Sequence, residues 1–457
     1  MLHLFRALAV FQFLLTVAVA IDVKRERLLI VAPEQFVPAL EEFVKHKSNL
    51  LDANVKTLEA ILASGDGVDD AEKLKRFLYA EQRDRGLDFV LLVGDVDVLP
   101  VRYMTLDRKQ DSAFNYSFYP SDLYYADLAR ADGSFEDWNA QRDSYHAGYY
   151  GEVRGETNKD DPINYDGVDY QPDVAVGRWP VSTPEEVERV ADKTIRFERA
   201  TLEAEGDTPK RAGLVSVGGW VDSRPWMDGL ASKLGANWEI EKRYFSNRRR
   251  RSETPPTREE VRGLFNGDMN LIVHAGHGQN DQWEQCLAMP DLEQIANAES
   301  LPIVVSAGCS TANFAPLPPY TRYVDVKGNE HKGTDRGEKF DSPPTPPANY
   351  QRDKYNPSGL GEQLLKRSEH GAVAYIGCNT GSQPCGLTLV EGFVFALADA
   401  NEPRLGACWS EAVKYYYEQQ RLATIKPDNG WYPPSIFFQP MKFMVFGDPS
   451  LRMVGRR

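Results

Sequence analysis

The sequence holds few of the side chains on which most proton and sulfur chemistry depends: 457 residues contain five cysteines and seven histidines. The cysteines, Cys286, Cys309, Cys378, Cys385 and Cys408, are odd in number. A complete disulfide framework is therefore excluded, and at least one of them stays a thiol or pairs between chains. Their spacing also excludes a zinc site, because even Cys378 and Cys385 stand too far apart for the usual close ligand pair. Positive charge is scarce as well, with 53 Lys and Arg against 67 Asp and Glu and a net charge of −14. A chain this acidic is not built to take nucleic acid or an anionic membrane as its main partner. The one dense basic run, the arginines at 248–251, reads as a solvated loop. Beyond residue 20 no segment is apolar over the roughly 20 residues that a bilayer span needs.

What is present begins with an N-terminal pattern. Arg6 is followed by the uncharged run ALAVFQFLLTVAVA, ending in Ala18, Val19 and Ala20. This is the form of a secretory signal peptide over residues 1–20 with a small-residue cleavage site, since the run is shorter than a membrane anchor. The expected location is secreted, periplasmic or on the cell surface, with no membrane span after signal removal.

The remaining chain alternates short apolar runs with segments of helical periodicity. RLLIVAPEQFVPALEEFVKHK reads as a strand and then a helix, and VDDAEKLKRFLYAEQRDRG and LDFVLLVGDVDVLPVRY repeat the theme. Such alternation predicts a mostly parallel sheet covered by helices. Thr183, Pro184 and Glu186 supply an N-cap, a first-turn proline and a capping box for a long helix. The end of that helix places a boundary near residue 205, between an N-terminal α/β subdomain (21–205) and a C-terminal one (206–457). Residues 315–358 show neither period, as expected of a functional or mobile loop.

Two strand ends carry the chemistry. NLIVHAGHG and PIVVSAGCS share one design, an apolar strand followed by small residues and a reactive side chain. PDLEQIANAESL between them predicts a crossover helix, which makes the two strands parallel neighbours. Ligands in such sheets bind beyond the carboxyl ends of the strands, where His277 and Cys309 would meet. A thiolate is the nucleophile, and an imidazole beside it can hold it ionised and later protonate a leaving amine. Gly278 and the Cys309 N–H would then form an oxyanion hole. His274, one residue inside the strand end, reads as a buried hydrogen-bonded histidine. By pattern alone Cys309 could equally be an ordinary buried cysteine.

GHG with Trp283 six residues after His277, CSTANF from Cys309, FVLLVGDVDVLP, PDVAVGRWPV, GAVAYIG and VFGDPSL together resemble the gingipain family of cysteine endopeptidases, within the caspase-like clan. The resemblance extends from about residue 27 to residue 452. It implies a caspase-like α/β/α sandwich of mostly parallel sheets in two subdomains, with His277 as general acid/base, Cys309 as nucleophile and Gly278 and Cys309 as oxyanion donors. It implies a protein or peptide substrate and an acyl-enzyme route, with no cofactor required for the chemistry. Where the family has a glutamate, this chain has Gly218, Gly219 and Trp220. The family's acidic selector of basic side chains corresponds roughly to Asp222, and its stacking tryptophan falls near Pro384. Asp222 and Trp283 are the candidate substrate-binding residues, with a turn or helix cap as the alternative role for Asp222.

Asp127, Asp132, Asp137, Asn139, Asp143 and Glu152 form an acidic loop that reads either as a solvated loop or as a structural calcium site. Two functions from different classes stand: a secreted cysteine endopeptidase, and a catalytically inactive binding or adhesion module on the same fold.

Overall fold

The apolar runs divide their side chains between two cores. In the strand Arg27–Ala32 (β1), Leu29 and Val31 enter one cluster while Leu28, Ile30 and Ala32 enter the other. That period of two belongs to a strand covered on both faces. The computed structural model of the chain describes residues 25–107, 116–139, 142, 147–151, 167–204, 210–249, 252–334, 344–351, 358–426 and 432–454. The expected signal peptide lies outside these residues.

Nine strands join β1: Asp52–Thr57 (β2), Phe89–Val93 (β3), Ala175–Trp179 (β4), Lys210–Ser216 (β5), Trp238–Tyr244 (β6), Leu271–Ala275 (β7), Ile303–Ser306 (β8), Ala374–Cys378 (β9) and Phe443–Phe446 (β10). They form one sheet in the order β2-β1-β3-β4-β10-β9-β8-β7-β5-β6. Helices cover both faces, so the fold is a mixed α/β sandwich with a large, mostly parallel central sheet. Every pairing is parallel except that of β9 with β10. The sheet therefore consists of two parallel blocks that point in opposite directions. The division near residue 205 marks no break in it, because β10, late in the chain, pairs with β4 of the first half. One consequence is local: the amino end of β10 lies at the same edge as the carboxyl ends of β7, β8 and β9.

The helix Pro184–Glu203 starts as its sequence requires, with Thr183 accepting from the Glu186 N–H. Glu186 accepts from the Ser182 N–H at 2.7 Å, one residue before the cap, in place of the expected reciprocal capping box. Further along, buried Lys193 donates to the carbonyls of Leu364, Leu365 and His370. Glu198 at 0% exposure meets Lys47 at 2.7 Å, and Lys47 meets Asp448 at 2.8 Å. Three distant segments are thus tied at one buried point.

The connection from β7 to β8 departs from the expected crossover helix. It is a three-stranded antiparallel ribbon (Gly278–Gln279, Gln282–Trp283, Leu287–Ala288) followed by a 3-10 helix, Met289–Gln294. Pro290 is tolerated at the first turn, and the segment from Ile295 leaves the helical region before a full α-helix can form. The parallel pairing of the two strands is retained.

Candidate active site

Register sets the geometry. His274 of β7 pairs with Ser306 of β8, so His277 and Cys309 each stand three residues past a paired position, at the same edge. Gly278 packs directly on the cysteine: a Cβ there would lie 2.7 Å from the Cys309 carbonyl oxygen and 3.2 Å from its nitrogen. The close approach requires a residue without a side chain. Ser310, which follows the cysteine, holds a left-handed φ of 55°. Its N–H donates to the Thr380 carbonyl at 2.8 Å, while that of Ala312 donates to Cys378 at 3.0 Å. These bonds hold the tight turn that lifts Cys309 off the end of β8. The Cys309 N–H donates to no backbone carbonyl among the described residues.

The Cys309 thiol is partly exposed and contacts Ser382, whose N–H donates to Sγ at 3.3 Å and whose carbonyl lies 3.4 Å away. Burial pushes this thiol above its ordinary range, while the Ser382 N–H and the Lys442 ammonium act in the opposite direction. Lys442 immediately precedes β10, which explains its presence at this edge. Its ammonium lies 4.9 Å from the Tyr119 ring centroid. The His277 Nε2 lies 2.9 Å from the Gly219 carbonyl oxygen. Because a carbonyl only accepts, Nε2 carries the hydrogen of this bond. Among the described residues no hydrogen bond joins His277 to Cys309; each is held by its own partner.

His274 occupies a different environment. It is fully buried, stacks on Trp283 with ring centroids 4.3 Å apart, and bonds through Nδ1 to the Ser306 hydroxyl at 2.9 Å. Burial lowers its pKa to about 3, which keeps the ring neutral. Thr311 extends the network, with Oγ1 3.2 Å from the Ser306 hydroxyl. The cluster braces both strand ends from beneath.

The two candidate substrate-binding residues have different surroundings, and only Trp283 is enclosed. Trp283 is 0% exposed, and its indole N–H donates to the Tyr375 hydroxyl at 3.0 Å. A ring enclosed in the core cannot receive a substrate. Asp222 lies at the surface, but both carboxylate oxygens accept from the Arg224 guanidinium at 2.8 Å, and Oδ1 also accepts the Arg224 backbone N–H at 3.2 Å. The Arg224 bond lowers its pKa. Its charge serves the start of the helix Arg224–Leu234.

In the acidic loop, Asp143 and Glu152 lie outside the described residues. Asp127 accepts the Trp138 indole N–H at 2.7 Å, Arg142 pairs with Asp137 and Glu72, and Arg130 pairs with Glu136. Buried Lys75 sits 4.2 Å from the Tyr124 ring centroid; burial lowers its pKa to about 8, against the opposing charges of Asp127, Glu136 and Asp137. Among the described residues no group of three or more His, Cys, Asp or Glu side chains could hold a metal. Sequence reasoning had no signal for Ser382 and Lys442, which reach the site through tertiary neighbours.

Comparison with known proteins agrees with this architecture. The profile of peptidase family C25 matches residues 22–454. No curated protein sequence matches the chain. Among solved structures, the Arg-specific cysteine proteinase gingipain R is similar with a TM-score of 0.61 at 17% identity, covering 94% of this chain and 79% of that one. The complex of RgpB pro- and mature domains from Porphyromonas gingivalis gives a TM-score of 0.60 at 17% identity, covering 93% and 79%. A further structure described as a protease gives 0.58 at 15%, covering 93% and 78%. At these identities the structural likeness is one of fold, while the profile spans nearly the whole sequence. The chain belongs to peptidase family C25, the gingipain family.

Proposed function

We propose that the protein is a secreted cysteine endopeptidase, with Cys309 as nucleophile and His277 as general acid and base. The observation that carries this reading is the common edge: two equal overhangs from paired strands, with Gly278 pressed onto the Cys309 backbone. Family membership makes peptide-bond hydrolysis the reaction class, and the pairing of Asp222 with Arg224 leaves the preferred side chain open to experiment. Secretion rests on the N-terminal run. Among the described residues no helix is long and apolar enough to cross a membrane.

The thiol is protonated at neutral pH, since burial raises its pKa, so the reaction needs a base. In the proposed cycle Cys309 Sγ leaves Ser382, passes its proton to His277 Nδ1 and attacks the scissile carbonyl carbon. The Cys309 N–H and the backbone at Gly278 receive the oxyanion. As the C–N bond breaks, Nδ1 returns the proton to the departing amine and a thioester remains. Water, deprotonated by the same nitrogen, hydrolyses the thioester and restores the thiol.

A peptide-library digest of wild type, Cys309→Ala and His277→Ala, together with a thiol-directed peptidyl probe, tests the assignment. Cleavage and labelling are expected to vanish in Cys309→Ala, and kcat to fall roughly 10²- to 10⁴-fold in His277→Ala. Undiminished cleavage by Cys309→Ala would overturn the assignment. A wild-type protein that neither cleaves nor labels would instead be a binding module on a peptidase fold.

A further inference from the structure

The turn that lacks the family's glutamate is held by a carboxylate from another part of the chain. Gly218 and Gly219 take φ values of 83° and 73°, two successive left-handed residues that L side chains rarely follow. The turn they make offers two groups at once. Its Gly219 carbonyl lies 2.9 Å from His277 Nε2, and its Gly219 N–H donates to Glu253 Oε2 at 2.5 Å. A Cβ at position 218 would lie 2.6 Å from Glu253 Oε2 and 2.9 Å from Phe245 Cγ. The residue that holds the turn thus also excludes a side chain from it.

Glu253 comes from the antiparallel ribbon Ser246–Arg249 and Ser252–Thr254, which follows β6 beyond the sheet edge. The base of that ribbon is fixed where the Phe245 N–H donates to the Ser216 carbonyl at 2.8 Å. Its register shifts between Ser252 and Glu253, an irregularity of the kind that re-aims a side chain. No role within the ribbon itself accounts for the carboxylate, whose one hydrogen bond among the described residues is to Gly219.

We infer that Glu253 is a positioning residue for His277, acting through the backbone of Gly219, whose N–H and C=O belong to successive peptide groups. The carboxylate sets where the Gly219 carbonyl points, and the carbonyl selects the Nε2–H tautomer, which leaves Nδ1 as the nitrogen that exchanges a proton. This takes over by two backbone hydrogen bonds the task of a directly bonded side-chain carboxylate. The rate consequence rests on the peptidase reading; the tautomer consequence does not.

The test therefore has two parts. In Cys309→Ala protein with ¹⁵N-labelled histidine, NMR is expected to show His277 as the Nε2–H tautomer, to show the same in Glu253→Gln, and to show a mixture of tautomers in Glu253→Ala. In otherwise wild-type protein, Glu253→Ala is expected to lower kcat by about 10- to 100-fold through loss of alignment, with KM within about twofold. Glu253→Gln, whose amide oxygen accepts the same bond, should recover to within about threefold of wild type. Retention of both the Nε2–H tautomer and the wild-type kcat in Glu253→Ala would overturn the inference. So would a Glu253→Gln enzyme as impaired as Glu253→Ala, since charge rather than the hydrogen bond would then be responsible. If the wild type hydrolyses no peptide, the peptidase reading fails, while the tautomer measurement still decides the role of Glu253.

Discussion

At the scale of single residues, the two histidines of the GHG region differ by what surrounds them. His274 is sealed against Trp283 and stays neutral because its cation would have no water. Its folded pKa of about 3 lies below the ordinary value of 6.5, so the unfolded chain binds a proton that the folded chain refuses. Stability from this group is complete above pH 6.5 and is lost as the pH falls towards 3. Between pH 6.5 and 5 the loss amounts to about 2 kcal/mol. Denaturant unfolding of wild type and His274→Gln across this range should show a shallower pH slope in the variant. An identical slope would mean that His274 titrates normally. Cys309 makes the opposite case, with burial raising its pKa and so favouring the neutral thiol. In His277→Ala, alkylation of Cys309 by iodoacetamide should be slow at pH 7 and still be rising through pH 9, since only the thiolate reacts. A rate already level at pH 7 would show that some other group ionises the sulfur.

At the scale of elements, the site depends on two short turns that leave paired strands and come into contact. Gly278 is the point of contact, and a methyl group there would press on the Cys309 carbonyl oxygen at 2.7 Å. Gly278→Ala should cost about 1–3 kcal/mol of stability through overpacking. Its kcat/KM should fall at least about tenfold, because the same methyl group would lie 3.2 Å from the Cys309 nitrogen proposed to bind the oxyanion. Stopped assays beside urea unfolding would check both, and an unimpaired enzyme would show that the turns yield without consequence. The crossover helix expected from Pro290 is reduced to the 3-10 helix Met289–Gln294. Trp283 enters the core from the ribbon that precedes this segment and reaches Tyr375 and His274.

At the scale of the molecule, two opposed blocks of strands share one sheet through β10. Lys47, Glu198 and Asp448 join the helix Glu41–Ser48, the helix Pro184–Glu203 and the segment after β10 at 0% side-chain exposure. Burial alone would raise the Glu198 pKa, but Lys47 and His46 hold it down at about 2. Lys47→Met removes the cation shared by two buried carboxylates, leaving Glu198 paired with His46 alone among the described residues, and should destabilise the whole protein by roughly 3–5 kcal/mol. Calorimetry is expected to give one unfolding transition for the two halves, shifted as a unit in Lys47→Met. Two separated transitions would show that the halves fold independently despite the continuous sheet.

Local pattern was enough for the alternation of strands and helices, the Thr183 cap and the strand ends carrying His277 and Cys309, because hydrophobic period and capping chemistry act over a few residues. It was not enough for Trp283, whose aromatic character suits a core as well as a pocket, or for Asp222, whose charge is claimed by a guanidinium two residues away. The placement of Lys442, Ser382, Gly219 and Glu253 was decided by tertiary structure alone. A reversed final strand, a left-handed double-glycine turn and a shifted ribbon register bring them to the site from distant parts of the chain. Short-range periodicity states which residues face a core, but a contact between distant residues exists only once the sheet has set their separation.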